Sequence, residues 1–328
     1  MKRSDYNVQE ALSALLDGDR GALSKAITLV ESSNEKDRAM AAQMLSLCLG
    51  YPGNSIRIGI TGIPGVGKST FIEAFGSHLT SIGKKVAVLA VDPSSPVGRG
   101  SILGDKTRMT CLANDDNAFI RPTPSGNKTG GVAESTRASM ALIEAAGYDV
   151  IIVETVGTGQ SETAVRSMVD FFILLMQTGT GDGLQAIKKG VIELADAVIF
   201  NKADGHAIKA TGRASAEMQQ ILSVLSASGR DWKPQSIACS ALEKKGMEKC
   251  WALVEEFHRQ ALESGSFERN RRAQDVRWMK RIVTRQLEAD FYAHPAVKRQ
   301  AHILEEAVAK GKMSPMEAAE ELLRNYRI

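Results

Sequence analysis

Apolar and polar positions follow three different rhythms along this chain. Over residues 1 to about 50 they recur at helical spacing, as in Leu12, Leu15 and Leu16, then Leu23, Ile27 and Val30, then Met44, Leu45 and Cys48. Asp19-Arg20-Gly21 and Ser32-Ser33-Asn34 interrupt that pattern, which therefore predicts three short helices, and Tyr51-Pro52-Gly53-Asn54 ends the zone. From Ile56 the texture changes to short β-rich apolar runs separated by helical stretches. The runs fall at residues 56–61, 86–91, 118–121, 150–153, 171–176, 197–200 and 236–239. Most are continuous rather than alternating, as expected of parallel strands covered on both faces. Strand–helix repetition of this kind predicts an α/β fold with a doubly wound, mostly parallel sheet, whose ligands bind at the carboxyl ends of the strands.

The third zone, from about Ser264, is helical again. Trp278, Ile282, Leu287 and Phe291 form an apolar stripe, His294-Pro295 interrupts it, and helical stretches follow over 303–309 and 315–323. Such an arm must bury its stripe, either on its own domain or on a second subunit. The expected organisation is a helical extension over 1–50, an α/β domain over 51–263, and a helical arm over 264–328.

Composition narrows the function classes. Apolar residues make up 43% and charged residues 24%, ordinary for a soluble globular protein, and 328 residues suffice for one full α/β core with extensions. A net charge of +3 is too small to make nucleic acid the main partner. The densest basic run, Arg269-Asn270-Arg271-Arg272, reads as a solvated helix face. Cys48, Cys111, Cys239 and Cys250 are scattered without a Cys-x-x-Cys spacing, so reduced thiols are expected rather than a disulfide framework or a zinc site. No stretch approaches the roughly 18 consecutive apolar residues of a membrane span, and the expected location is cytoplasmic.

The chemistry sits where the strands end. Gly62-Ile63-Pro64-Gly65-Val66-Gly67-Lys68-Ser69 follows the first strand and leads into a helix near Thr70. Gly62, Gly65 and Gly67 let the loop curl so that backbone N–H groups, Val66 included, converge on phosphate oxygens at a helix N-terminus. Lys68 is placed to reach β- and γ-phosphates, and the Ser69 hydroxyl to ligate Mg2+. Asn201-Lys202-Ala203-Asp204 closes the strand at 197–200. The Asp204 carboxylate can accept from N1–H and the N2 amino group of guanine, a donor pair that adenine lacks. The Asn201 amide is expected to bridge base and loop and the Lys202 stem to cover the ring. Ser240-Ala241-Leu242 fits a loop whose backbone supports the base.

Glu154-Thr155-Val156-Gly157 ends another strand. A carboxylate there can hold the hydration shell of Mg2+, and the Gly157 N–H can sense the γ-phosphate. Asp92, after the strand at 86–91, and Asp105, in the glycine-rich stretch 97–105, are further candidate metal-shell carboxylates. The loop from Gln177 through Gly179, Gly181, Asp182 and Gly183 is permissive enough to switch with nucleotide.

These motifs resemble one family. Gly-Ile-Pro-Gly-Val-Gly-Lys-Ser-Thr at 62–70, Val-Asp-Pro-Ser-Ser at 91–95, Glu-Thr-Val-Gly at 154–157 and the Thr-Gly-Asp loop at 179–182 are similar to those of the MeaB/ArgK GTPases, associated with methylmalonyl-CoA mutase, over nearly the whole chain. The resemblance implies a P-loop GTPase domain of the SIMIBI type that binds GTP or GDP with Mg2+. It implies a homodimer held partly by the C-terminal arm. It also implies a chaperone of the adenosylcobalamin-dependent methylmalonyl-CoA mutase, or a related acyl-CoA mutase, that gates cofactor loading and protects the mutase. Hydrolysis would be slow alone and accelerated by that partner, with Lys188 a candidate for completing the catalytic set. Two alternatives stand beside it. A nickel-delivery GTPase would carry a His- or Cys-rich site, whereas the five histidines here are scattered. A kinase acting on a transport protein would need an acceptor-activating base, for which Glu154 is the candidate.

Overall fold

The computed structural model describes residues 7–32, 34–51, 53–91, 109–123, 129–155, 161–179, 189–225 and 231–326. Seven strands form one sheet: β1 (Ile56–Gly62), β2 (Val86–Val91), β3 (Ala118–Thr123), β4 (Val150–Thr155), β5 (Phe171–Met176), β6 (Ala197–Phe200) and β7 (Gln235–Ala238). Their order is β3-β2-β4-β1-β5-β6-β7, and every pairing is parallel. The predicted runs and the observed strands coincide in number and place, with small shifts at the ends. β4 extends through Thr155, so Glu154 lies within the strand, and β3 extends to Thr123. Pro122 is accommodated because β3 is an edge strand.

Continuous apolar strands need cover on both faces, and successive residues point to opposite sides. Ile58, Ile60, Val88, Ile152 and Ile173 pack into one cluster with Phe71, Phe75 and Leu79 of the helix after β1, α4 (Lys68–Ser81). Ala87, Leu89, Ile151, Val153 and Phe172 pack into another with the N-terminal helices α1 (Val8–Leu16), α2 (Arg20–Glu31) and α3 (Glu35–Cys48). The polar breaks before α2 and α3 are N-caps: Asp19 accepts from the N–H groups of Gly21 and Ala22, and Asn34 from those of Lys36 and Asp37. Those backbone donors hold the Asp19 carboxyl below its usual range.

By compactness the chain divides once, into Met1–Arg271 and Arg272–Ile328. The helix Ser266–Ala293 runs through that boundary. In the second unit the helices Pro295–Ala309 and Pro315–Tyr326 pack on one another, Val297, Leu304 and Ala318 are buried, and Phe291 and His294 sit against Tyr326. Of the predicted stripe, Ile282 and Leu287 remain 43% and 60% exposed.

The basic run is solvated at Arg269, Asn270 and Arg272, which are exposed, but not at Arg271, whose side chain is 17% exposed. It donates to both carboxylate oxygens of Asp170 at 2.9 and 2.6 Å, to Glu144 at 3.1 Å and to the Ser55 carbonyl at 2.7 Å. Arg57 makes a second bidentate pair with Glu144, its backbone N–H donates to Asp170, and Phe267 stacks under the Arg271 guanidinium. A helical charge run reads as solvated only while nothing packs on it. Here the amino edge of β1 and β5 offers two buried carboxylates that a guanidinium fork fits.

Candidate functional site

β1 lies between β4 and β5, so the loops leaving the carboxyl ends of β1, β4, β5 and β6 open on one edge of the sheet. The loop after β1 approaches its neighbours closely. A side chain at Gly62 would meet the Leu175 carbonyl of β5 at 2.6 Å. Gly67 caps α4 with φ +90°, and a side chain there would meet the Asn201 amide nitrogen at 2.9 Å. Only glycine satisfies both demands at 67. Val66, between two left-handed glycines, is fully buried and pins the loop to the core.

The helix begins at Lys68 rather than near Thr70, so Lys68 and Ser69 occupy its first turn, where backbone N–H groups lack intrahelical acceptors. The Lys68 ammonium donates to the carbonyls of Gly62 at 2.7 Å and Ile63 at 3.4 Å. Burial pushes its pKa down, against the opposing pull of Glu154 and Glu162. A cation held by neutral carbonyls in a desolvated loop is well suited to exchange them for phosphate oxygens. Ser69 donates to Glu154 at 3.4 Å, and Glu154 is 5% exposed. A hydroxyl and a buried carboxylate this close are hard oxygen donors of the kind Mg2+ takes. Beside them Thr155 donates to Thr61 at 2.8 Å, linking β4 to β1.

The second motif closes on the first. Asn201, 2% exposed, donates to the Val66 carbonyl at 2.9 Å and accepts from the Ala241 N–H at 3.0 Å. It bridges the phosphate loop and the 240 loop. Lys202, held at φ +62°, donates to the Gly65 carbonyl at 2.7 Å, so its stem crosses between the loops. Asp204 accepts from the Ser240 hydroxyl at 2.6 Å, while Ser240 accepts from the Glu243 N–H at 3.1 Å. The expectation for Ser240 concerned its backbone; its side chain in addition orients the Asp204 carboxylate. Leu242 is 77% exposed at the tip.

The structure thus brings together Gly62, Gly65, Val66, Gly67, Lys68, Ser69, Glu154, Asn201, Lys202, Asp204, Ser240 and Ala241, with Thr70 exposed one step along α4. Asp92, Asp105, Gly157 and Lys188 lie outside the described residues, as does the part of the glycine-rich loop beyond Gly179. Sequence reasoning missed Glu162, 3% exposed and near enough to Lys68 to act on its charge. In sequence it is one acid in the first turn of the short helix Ser161–Arg166, indistinguishable from a residue placed there for the helix dipole.

Comparison with known proteins agrees with this geometry. Residues 23–296 match the family model of methylmalonyl Co-A mutase-associated GTPase MeaB. A probable GTPase of Mycobacterium tuberculosis is 48% identical over 320 residues, covering 97% of this chain and 95% of its own. GTPase ArgK of Escherichia coli is 44% identical over 95% of this chain and 94% of its own. The mitochondrial methylmalonic aciduria type A homolog of Mus musculus is 41% identical over 98% of this chain and 80% of its own. Among solved structures, that of an LAO/AO transport system kinase superposes with a TM-score of 0.77 at 36% identity, covering 100% of this chain and 99% of the other.

Proposed function

This chain belongs to the methylmalonyl Co-A mutase-associated GTPase family MeaB, and on that footing we propose that its GTP hydrolysis serves as the switch of a chaperone for an adenosylcobalamin-dependent acyl-CoA mutase. The chain is a GTPase, with the relatives and the P-loop fold already described. The observation that carries the finer reading is the direct bonding of the phosphate loop to the guanine loop through Asn201, Lys202 and Val66. Occupation of one loop is then felt by the other.

In this reading Lys68 binds phosphate oxygens, and Asp204, oriented by Ser240, selects guanine. Ser69 and Glu154 hold Mg2+, which when bound neutralises developing charge on the phosphates. Glu154 keeps the Ser69 hydroxyl aimed at the phosphate side of the loop. Gly157, Asp92, Asp105 and Lys188 are proposed to complete the set. Fast turnover is proposed to wait on groups that the partner supplies or orders. The arm over 264–328 is proposed to form a homodimer, supported by the exposure of Val276, Met279, Val283 and Leu287. The 1–50 extension and the 51–263 domain together make the switch body. The scattered free thiols fit a cytoplasmic setting, and no helix among the described residues is long and apolar enough to cross a membrane.

The decisive measurement is steady-state GTP turnover with and without a cobalamin-dependent mutase. Low turnover alone and a large rise with the mutase are expected; equal turnover in both would end the chaperone reading. A kinase reading has one supporting observation, the name carried by the solved relative. Incubation with γ-labelled GTP and candidate transport proteins tests it, and no labelled protein is expected.

A further inference from the structure

The helix Ser161–Arg166 runs back along the sheet, from the carboxyl edge toward the amino edge. Its last residue marks the amino end. Arg166 donates to the Asp170 carbonyl at 3.2 Å and forks onto the Asp196 carboxylate at 3.1 Å, immediately before β5 and β6 begin. One residue earlier, Val165 is 1% exposed and lies over β1 at Gly59. A side chain at Gly59 would meet Val165 Cγ1 at 3.0 Å and Phe172 at 2.7 Å, so nothing larger than glycine lets the helix sit there. The helix is thereby pinned to one face of β1. Glu162, one turn nearer the carboxyl edge, is 3% exposed.

Gly59 and Gly62 are three strand residues apart, about 10 Å along β1. Val165 and Glu162 are three helical residues apart, about 4.5 Å, and a helical side chain leans further toward the helix N-terminus. The Glu162 carboxylate thus comes up to the end of β1, where the Lys68 ammonium bonds the carbonyls of Gly62 and Ile63. Its pull on the Lys68 charge, listed after that of Glu154, agrees with this placement. The two carboxylates arrive from opposite faces. Glu154 shares its side of β4 with Ile152, which packs under α4, whereas Val165 of the other helix packs on the far side with Phe172. Glu154 is engaged by the Ser69 hydroxyl on the metal side. Glu162 has no part in the site as described so far.

We propose that Glu162 sets the affinity of the phosphate site: it balances the Lys68 ammonium before nucleotide enters and opposes the β- and γ-phosphates afterwards, so that bound nucleotide is held less tightly and leaves sooner. The proposal rests on the GTPase reading and deepens it. A phosphate that takes Lys68 must share that cation with a buried carboxylate of its own sign. Like charges close together in a desolvated cleft are screened far less than at the surface.

The test compares the wild type with Glu162→Gln and Glu162→Asp in the full-length protein. Affinities for GTP, GDP and guanosine are measured by competition with a fluorescent GDP, release of that GDP is timed, and thermal melting is recorded. Glu162→Gln keeps the size and removes the charge. Its affinity for GDP and GTP is expected to rise about tenfold, with GDP release slowed to match. Guanosine carries no phosphate, so its affinity should stay within about twofold of the wild type. Glu162→Asp keeps the charge and should lie closer to the wild type than Glu162→Gln does. A carboxylate with a structural role alone would lower the melting temperature and leave nucleotide binding unchanged or weaker. That result overturns the proposal, as does a gain that guanosine shares, or a Glu162→Gln chain that does not fold. A wild type that binds neither GTP nor GDP would sink the GTPase reading and this inference with it. A wild type that binds and hydrolyses GTP, beside variants of unchanged affinity, sinks the inference alone.

Discussion

At the amino edge of the sheet Arg57 and Arg271 are met by the carboxylates of Glu144 and Asp170, whereas at the carboxyl edge the ammonium of Lys68 is met by carbonyl oxygens. Both edges bury cations. At the first, each guanidinium is bonded bidentately to a carboxylate, and burial's penalty on Arg271 is outweighed by Asp170 and Glu144. At the second, burial dominates, and the lysine's hydrogen bonds go to neutral acceptors that a phosphate can replace. The difference separates structure from function within one sheet: charge matched by charge anchors the fold, while charge matched by weak acceptors awaits a substrate.

The strongest challenge to that contrast is removal of Arg271. Arg271→Ala leaves the buried Asp170 carboxylate with only the Arg57 N–H and takes one donor from Glu144, and a stability loss of about 3–5 kcal/mol is expected in denaturant melts. GTP turnover per folded molecule should be unchanged, and a selective loss of turnover at full stability would break the contrast. Lys68→Ala should do the reverse. Turnover should fall about 10²–10³-fold in single-turnover assays, as for loss of a preorganised donor to developing charge, with thermal stability equal or raised.

Asp204→Ala sharpens the picture within the carboxyl edge. It removes the carboxylate that Ser240 orients, and a loss of about 1.5–3 kcal/mol of GTP affinity is expected by calorimetry, with discrimination against ATP falling in parallel. Ser240→Ala should follow the same direction at about 0.5–1.5 kcal/mol, because Asp204 remains but is less well held. The smallest effect concerns His258, beside the amino-edge cluster and packed on Phe267 at 4.8 Å. Burial holds its pKa below the usual value, helped by Arg271 and Lys84 and opposed by Asp170. The unfolded chain therefore takes up a proton at higher pH than the folded one does. Stability from this group is present above about pH 6.5 and is lost as pH falls through the lower folded pKa. His258→Gln should flatten the melting-temperature profile in that window and leave it unchanged above it.

Much of this molecule was legible without coordinates. All seven strands announced themselves as short apolar runs, because a doubly covered parallel strand has no polar face to disguise it. The phosphate loop was legible because only glycine tolerates the left-handed turns at 65 and 67 and the close approach of Asn201. Asp19 and Asn34 were visible as breaks, since polar N-caps interrupt a helical rhythm. Those features are local: a residue's own backbone, or its nearest neighbours along the chain, sets the requirement.

What only tertiary structure decided are pairings across long stretches of chain. Arg271 looked like one arginine in a solvated run until the carboxylates of Asp170 and Glu144, over a hundred positions away, met it. Glu162 looked like a helix-dipole acid until folding brought it within reach of Lys68. Asn201 was expected to reach a loop, and folding showed which ones: its bonds tie Val66 to Ala241. Glu73 gave no sign that it would accept from the Cys111 N–H, because the short helix Thr110–Ala113 begins 37 residues later with a methionine where a capping oxygen would stand. Sequence periodicity reports which faces are apolar; it carries no record of which charged residue a buried donor will find once the strands have stacked.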